Sequence, residues 1–570
     1  MRVTVEGRDV NEEIVEHAEG QDSEPRRFTL PPRRRLLLIA GVLGALVLAA
    51  VLPPLINVNR FRRQIATSIG ASLGRPVHLG SVTLSLLPLP GLTLENFVVS
   101  EDPAFGTEPV IYASSVRATL RVSSLWRRRV EFSRISLDEP TSVNLVHRAD
   151  GRWNVESILL QAARLQAAPT GQRGVGDAPR FPYIEATSAR VNLKMGLEKM
   201  PLSLTEAKFA LWLSEPELWK LRLEAHPTRT DTAATDTGTL RLEGTLGRAP
   251  ALREVPLEMK GEWSAAPLGA VSKVLLGWDA GFRGLMTLNA TVHGTLGENV
   301  LESQLLLKEV RRADFVPAQM LNVDLSCKGE AKNLFHTFVG VRCVWPSDKA
   351  TKDGGNDAGM IVTGDLQDVR HPQAVVGQLQ LKDVSATWLL DAMRIASNRI
   401  SAQLTATGAI SGNVLYGESR RGQFAKPTKR REQVVAGNFR IANARVARGE
   451  GRPFLDGDVE GELRANDLTI LPLPIHLGAP APAFIDGHVG WDGYRIHLTG
   501  PVLRSRLLEL ADALPQFGDG LREVLPPASN AADPSERVDL FSSRLWTRSQ
   551  MWTQAAPRQS SGRRGHANRR

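Results

Sequence analysis

RPVHLGSVTLSLLP, residues Arg75–Pro88, carries the pattern that decides the fold. Val82, Leu84 and Leu86 alternate with Ser81, Thr83 and Ser85. A period of two with one apolar side marks a strand that is dry on one face and wet on the other. The alternation returns far downstream. Leu240 and Leu242 stand among Arg241 and Glu243, and Leu288 and Val292 among Thr287, Asn289, Thr291 and His293. Leu321, Val323 and Leu325 alternate with Asn322, Asp324 and Ser326, and Leu404 with Gln403 and Thr405. The spacing predicts a mainly β protein built from a loose series of hairpin units. Short glycine-led units at Gly244, Gly294, Gly364, Gly437 and Gly461 read as turn signals between hairpins. Their irregular spacing excludes a strict solenoid repeat. Helical spacing is confined to 266–278, 387–396 and 502–514, and to a segment in which Phe61, Ile65, Ile69 and Leu73 recur every fourth residue before Gly74. That amphipathic helix has two open placements, on a membrane surface or as a cap on the first strands.

Upstream lies LLLIAGVLGALVLAAVL, residues 36–52, with no charged residue. Leu36, Leu37, Leu38, Ile39, Val42, Leu43, Leu46, Val47 and Leu48 form its apolar body. About 20 apolar residues cross a bilayer as helix, so a transmembrane helix is expected over 33–56. Arg33, Arg34 and Arg35 abut its start, which places the N-terminus in the cytoplasm and the bulk of the chain on the far side. The rival, a cleaved signal peptide, requires an unusually long n-region and a small-residue cleavage site that is not seen. The expected organisation is a flexible cytoplasmic leader (1–32), the anchor, an N-terminal module (57–160), a linker loop (161–180), a β body (181–527) and a disordered basic tail (528–570). That tail holds eight Arg against three acids and accounts for much of the net charge of +9. The basic balance therefore needs no nucleic-acid groove.

Catalytic patterns are sparse. Gly70-Ala71-Ser72-Leu73-Gly74 fits G-x-S-x-G, but a nucleophile elbow needs a strand before the turn and a helix after it. Here a helix comes first. No Walker A, no H-E-x-x-H and no dinucleotide fingerprint occur. No metal, cofactor or enzymatic activity is expected. The two cysteines, Cys327 and Cys343, lie in neighbouring apolar runs; a hairpin would join them as a disulfide, and two buried free thiols fit the spacing equally.

GRPVHLGSVTLSLLPLPGLTLENFVVSED (74–102) resembles the N-terminal signature of the AsmA family. The Leu125-Trp126 corner, the LDEP sequence ending at Pro140 and the DGRWN turn at Asp150–Asn154 extend the resemblance from about Leu36 to Leu160. The resemblance implies an inner-membrane anchored, periplasmic protein of a Gram-negative envelope, related to TamB-like and chorein-type lipid carriers. It implies a curved sheet folded into an open trough, phospholipid transfer between envelope membranes and support of outer-membrane assembly. In such a trough Val82, Leu84, Leu86, Leu240, Leu242, Leu288, Val292, Leu321, Val323, Leu325 and Leu404 face acyl chains. The implied partners are membrane lipids and other envelope proteins, the latter held by strand addition if the chain is instead a scaffold. From the residues alone two solutions stay open for the dry face: closure on its own side chains, or a trough filled by lipid. Roughly 25 strands at about 4.8 Å each give a sheet on the order of 120 Å long.

Overall fold

The computed structural model describes Leu37, Ala40, Gly41, Leu43 and Gly44 of the apolar run, and the chain from 58 to 554. Excepted are 86–88, 126–131, 149, 159–182, 197, 216–217, 233–235, 248, 318, 347–358, 370–374, 397–400, 419–432, 465, 491–492, 515–517, 519, 526–534 and 546–550. The five described residues of the run are helical and exposed. No helix among the described residues is long and apolar enough to cross a membrane. The leader, Arg33–Arg35, the other anchor residues (Leu36, Leu38, Ile39, Val42, Leu46, Val47, Leu48), the linker 161–180 and Leu86 lie outside the described residues.

The strands are β1 Val77–His78, β2 Ser81–Ser85, β3 Gly91–Val99, β4 Ile111–Leu120, β5 Phe132–His147 and β6 Tyr183–Met195. There follow β7 Glu198–Glu215, β8 Leu218–Arg229, β9 Thr239–Gly247, β10 Pro256–Pro267, β11 Phe282–Thr295 and β12 Glu298–Arg312. Next come β13 Leu321–Lys332, β14 Thr337–Trp345, β15 Gly359–Leu366, β16 Val375–Ser385, β17 Leu404–Glu418 and β18 Gln433–Arg448. The last are β19 Leu455–Arg464, β20 Asp467–Ile475, β21 Ala483–Val489, β22 Gly493–Leu503, β23 Ser535–Leu545 and β24 Met551–Gln554.

All 24 belong to one sheet. From β2 onward each strand pairs with the next, and β1 shares the outer edge of β3 with β2. Every pairing is antiparallel except β5–β6, which is parallel. A parallel pair needs a crossover, supplied by the chain between His147 and Tyr183. The predicted linker therefore does not separate two bodies: β5 and β6 are hydrogen-bonded across it. The ribbon measures about 105 Å along its hydrogen-bonding direction at about 4.8 Å per step.

Four helices matter for the site: α1 (Arg62–Leu73), α2 (Leu268–Leu276), α3 (Ala386–Ala396) and α4 (Arg504–Ala513). α2, α3 and α4 follow β10, β16 and β22, so a helix recurs after every sixth strand and on the same long edge. α1 ends at Gly74, whose φ of 67° is the left-handed cap conformation. Its Ile65, Ile69 and Leu73 pack on Val77, Val82, Leu94 and Val116, so the amphipathic helix caps the first strands. α4 seals the other end, where Leu507 and Leu510 pack on Leu498, Val502 and Leu540.

The ribbon coils. The ring of His147, at the end of β5, lies 5.7 Å from that of His336, in the turn between β13 and β14. Eight strands separate them, and at about 20–25° of twist per strand the strand direction roughly reverses over that interval. Opposite long edges of the sheet thus meet.

Two expectations are corrected. The tail is not disordered throughout: β23 pairs along its whole length with β22, because Val538 and Leu540 alternate with Arg537 and Asp539 and are buried. The glycine units are not turns. Gly244, Gly364, Gly437 and Gly461 sit inside β9, β15, β18 and β19. A Cβ on Gly461 would stand 2.3 Å from the Phe439 ring. The ring leaves room only for a hydrogen there.

Candidate functional site

Directly opposed residues in an antiparallel pair share a face, so the registers trace that face strand by strand. Ala225, Leu240, Trp263, Leu288, Leu305 and Leu325 form one cross-strand row through β8–β13. A parallel row runs Leu221, Gly244, Met259, Val292, Leu301 and Gly329. Between them lies a third: Leu223, Leu242, Gly261, Ala290, Ser303, Cys327, Cys343, Val362, Leu379, Val414, Gly437 and Leu463. This is one apolar wall, without a charged residue in any of the three rows, crossing the middle of the sheet.

Its burial distinguishes it from a core. Leu240, Leu242, Trp263, Leu288, Val292, Leu305, Val323 and Leu325 are only half-buried, and Val362 is 39% exposed. Fully buried apolar clusters gather under α1, under α4, along the edge held by α2 and α3, and at the β6–β8 end of the wall, where Ala225 (0% exposed) joins Ala186, Ala189 and Ala207 and Leu223 packs against them. Trp388 of α3 stacks on Trp345 at 4.4 Å, and Ile395 covers Val310 and Leu321. Three expected wall residues are therefore covered by protein. Val82 (2% exposed) lies beneath α1, Leu321 (6%) beneath α3, and Leu404 (9%) in the cluster shared with α4. Leu84 is half-buried beside the first of these clusters. Trp263, Met259, Leu301, Leu305, Leu379 and Val414 belong to the wall and escaped the sequence pattern; their signal is register, which the bulges at Trp263/Ala266 and Leu307/Val310 conceal.

The disulfide Cys327–Cys343 joins directly paired residues of β13 and β14, with Cα atoms 4.0 Å apart, on the wall itself.

The opposite face is ionic. Glu224 accepts from Lys208 at 3.1 Å and from Arg241 at 3.2 Å, and Arg222 meets Glu243 at 2.9 Å. Lys328 meets Glu302 at 2.8 Å, and Arg440 pairs with Asp458. Hydrogen bonds from Lys208 and Arg241 hold the Glu224 carboxyl below its ordinary range, and Arg440 does the same to Asp458. These pairs are exposed and each contributes little. They keep that face wet. Among the described residues no group of three or more His, Cys, Asp or Glu could hold a metal ion. Ser72 lies within α1, with the first strands following it, the reverse of an elbow.

The family model that matches is that of the AsmA family, over residues 33–191. No curated protein and no solved structure matches. The matched stretch takes in α1, β1–β5 and most of β6, including the buried network in which Asn154 donates to Glu101 at 2.6 Å while its own carbonyl accepts from Arg75 at 3.1 Å. Over residues 33–191, from the arginines before the apolar run into strand β6, this chain is similar to the AsmA family.

Proposed function

We propose that this chain is anchored in the inner membrane of a Gram-negative envelope by residues 33–56, with its sheet in the periplasm, and that it binds phospholipid acyl chains along the apolar wall. Transfer is passive: the chains slide along the wall between membranes while headgroups stay in water, which supports outer-membrane assembly. No enzymatic step and no cofactor is needed. One observation supports this reading: the wall is continuous across the strands, and most of its leucines and valines are only half-buried although α2 and α3 cover one side of it. An apolar surface of that extent is a binding surface by default. Native mass spectrometry after detergent-free extraction tests it. Co-purified phospholipid is expected, and protein that is consistently empty would refute it.

A scaffold that holds envelope proteins by strand addition is the second reading. It is favoured by the short last strand: β24 pairs only with Leu540–Ser543, so the outer edge of residues 535–539 of β23 has no strand partner among the described residues. Lipid-free protein that crosslinks to an envelope protein from positions 535–539 is the outcome that would select it.

A further inference from the structure

Between α1 and β1 lies a cleft of about 760 Å³ that is separate from the wall. Its charged lining is Arg62, Arg63 and Arg75, with no acidic residue. Arg75 is already engaged. It is buried, stands 3.7 Å from Glu101 and 3.5 Å from Asp102, and donates to Ser157 at 2.7 Å. Arg62 donates to the neutral carbonyl of Gly80 at 2.5 Å, and neither it nor the exposed Arg63 forms an ion pair among the described residues. Two guanidinium charges thus face a cleft without counter-charge. Val77 and Leu79 supply apolar lining, and both belong to the cluster that continues to Val82 and Leu94. The site combines anion recognition with a greasy floor, shortly after the apolar run ends at Leu52.

We propose that this cleft binds the phosphate group of a phospholipid, with Arg62 and Arg63 on the phosphate oxygens and Val77 and Leu79 against the start of the acyl chains. The guanidinium fork matches phosphate oxygens in a bidentate manner. Inorganic phosphate would satisfy the arginines but leave the floor unused, so a lipid is the ligand that fits both. The proposal rests on the lipid reading above and adds where a headgroup is held.

The test uses the full chain in maltoside micelles, titrated with dihexanoyl phosphatidylglycerol, dihexanoylglycerol and inorganic phosphate. Arg62→Gln with Arg63→Gln is expected to weaken the phosphatidylglycerol about tenfold or more, the usual scale for a charge-assisted hydrogen bond, and to leave dihexanoylglycerol unchanged. Arg63→Gln alone, at an exposed position that cannot unseat α1, is expected to give a smaller loss in the same direction. Unchanged phosphatidylglycerol binding in both variants would overturn the site. Inorganic phosphate binding as tightly as the lipid would overturn its assignment to phospholipid. Failure of the wall is read separately, as natural lipid missing from the wild-type chain while arginine-dependent binding persists.

Discussion

Leu288→Asp separates an open wall from a hidden core. Leu288 is half-buried, flanked in register by Trp263 and Leu305. Full burial of a leucine is worth about 1.5–3 kcal/mol, so a half-buried one forfeits about 1 kcal/mol on losing its apolar surface. Its carboxylate keeps water on the open side, so no desolvation penalty is added. The expected loss of stability is about 1–2 kcal/mol. Leu498→Asp is the reference: Leu498 is 0% exposed among Val502, Leu507 and Leu540, and an unpaired carboxylate there should cost more than about 4 kcal/mol. Urea midpoints followed by tryptophan fluorescence give both numbers, and native mass spectrometry gives lipid occupancy. Leu288→Asp should remain folded and lose most of its lipid. If it unfolds as easily as Leu498→Asp, something covers the wall and the trough is wrong. If it stays folded and carries lipid at the wild-type level, acyl chains do not use that row.

Gly461→Val puts a side chain into the Phe439 ring and should lower stability by about 1–3 kcal/mol, read as a shifted urea midpoint. Asn154→Ala removes a fully buried amide that donates to Glu101 and Asn144 and accepts from Val146; a loss of about 2–3 kcal/mol is expected by thermal melting. The disulfide spans a sequence separation of 16, so Cys327→Ser with Cys343→Ser should cost about 3 kcal/mol, and reductant should then have no further effect on the midpoint. Glu224 has its carboxyl pKa lowered in the fold, so its contribution is present above the unfolded value of 4.5 and fades as pH falls through the lower folded value. Glu224→Gln should therefore flatten the acid limb of the stability profile without changing its slope above neutrality.

Much of this fold could be read in the chain because alternation survives wherever one face stays wet. Val323 and Leu325 declare β13, and the three interior helices fall where 3.6-residue spacing replaces it. Gly437 and Gly461 mislead because glycine usually marks a turn, whereas here it makes room for the backbone of the paired strand at Gly437 and for the Phe439 ring at Gly461. Val538 and Leu540 were hidden by the basic composition around them, although the two-residue period was present. Arg75 and Asn154 stand in the stretches that carry the resemblance, but the burial of these two and of Asn144 left no signal, since side chains of that type are solvated by default. Which leucines stayed uncovered depended on α1, α3 and α4 folding back over the sheet, and strand periodicity carries no information about that.

The contact between His147 and His336 has a consequence for anything that travels the length of this molecule. At the usual twist of about 20–25° per strand, eight strands amount to about half a turn, and the lining winds as a spiral ramp. A passenger held by its tails must rotate as it advances, so its polar end points one way near α1 and roughly the opposite way by β13, then turns on toward α4. On the transfer proposed above, docking at either terminus is thereby tied to azimuth: the compass bearing at which cargo boards would fix the bearing at which it alights.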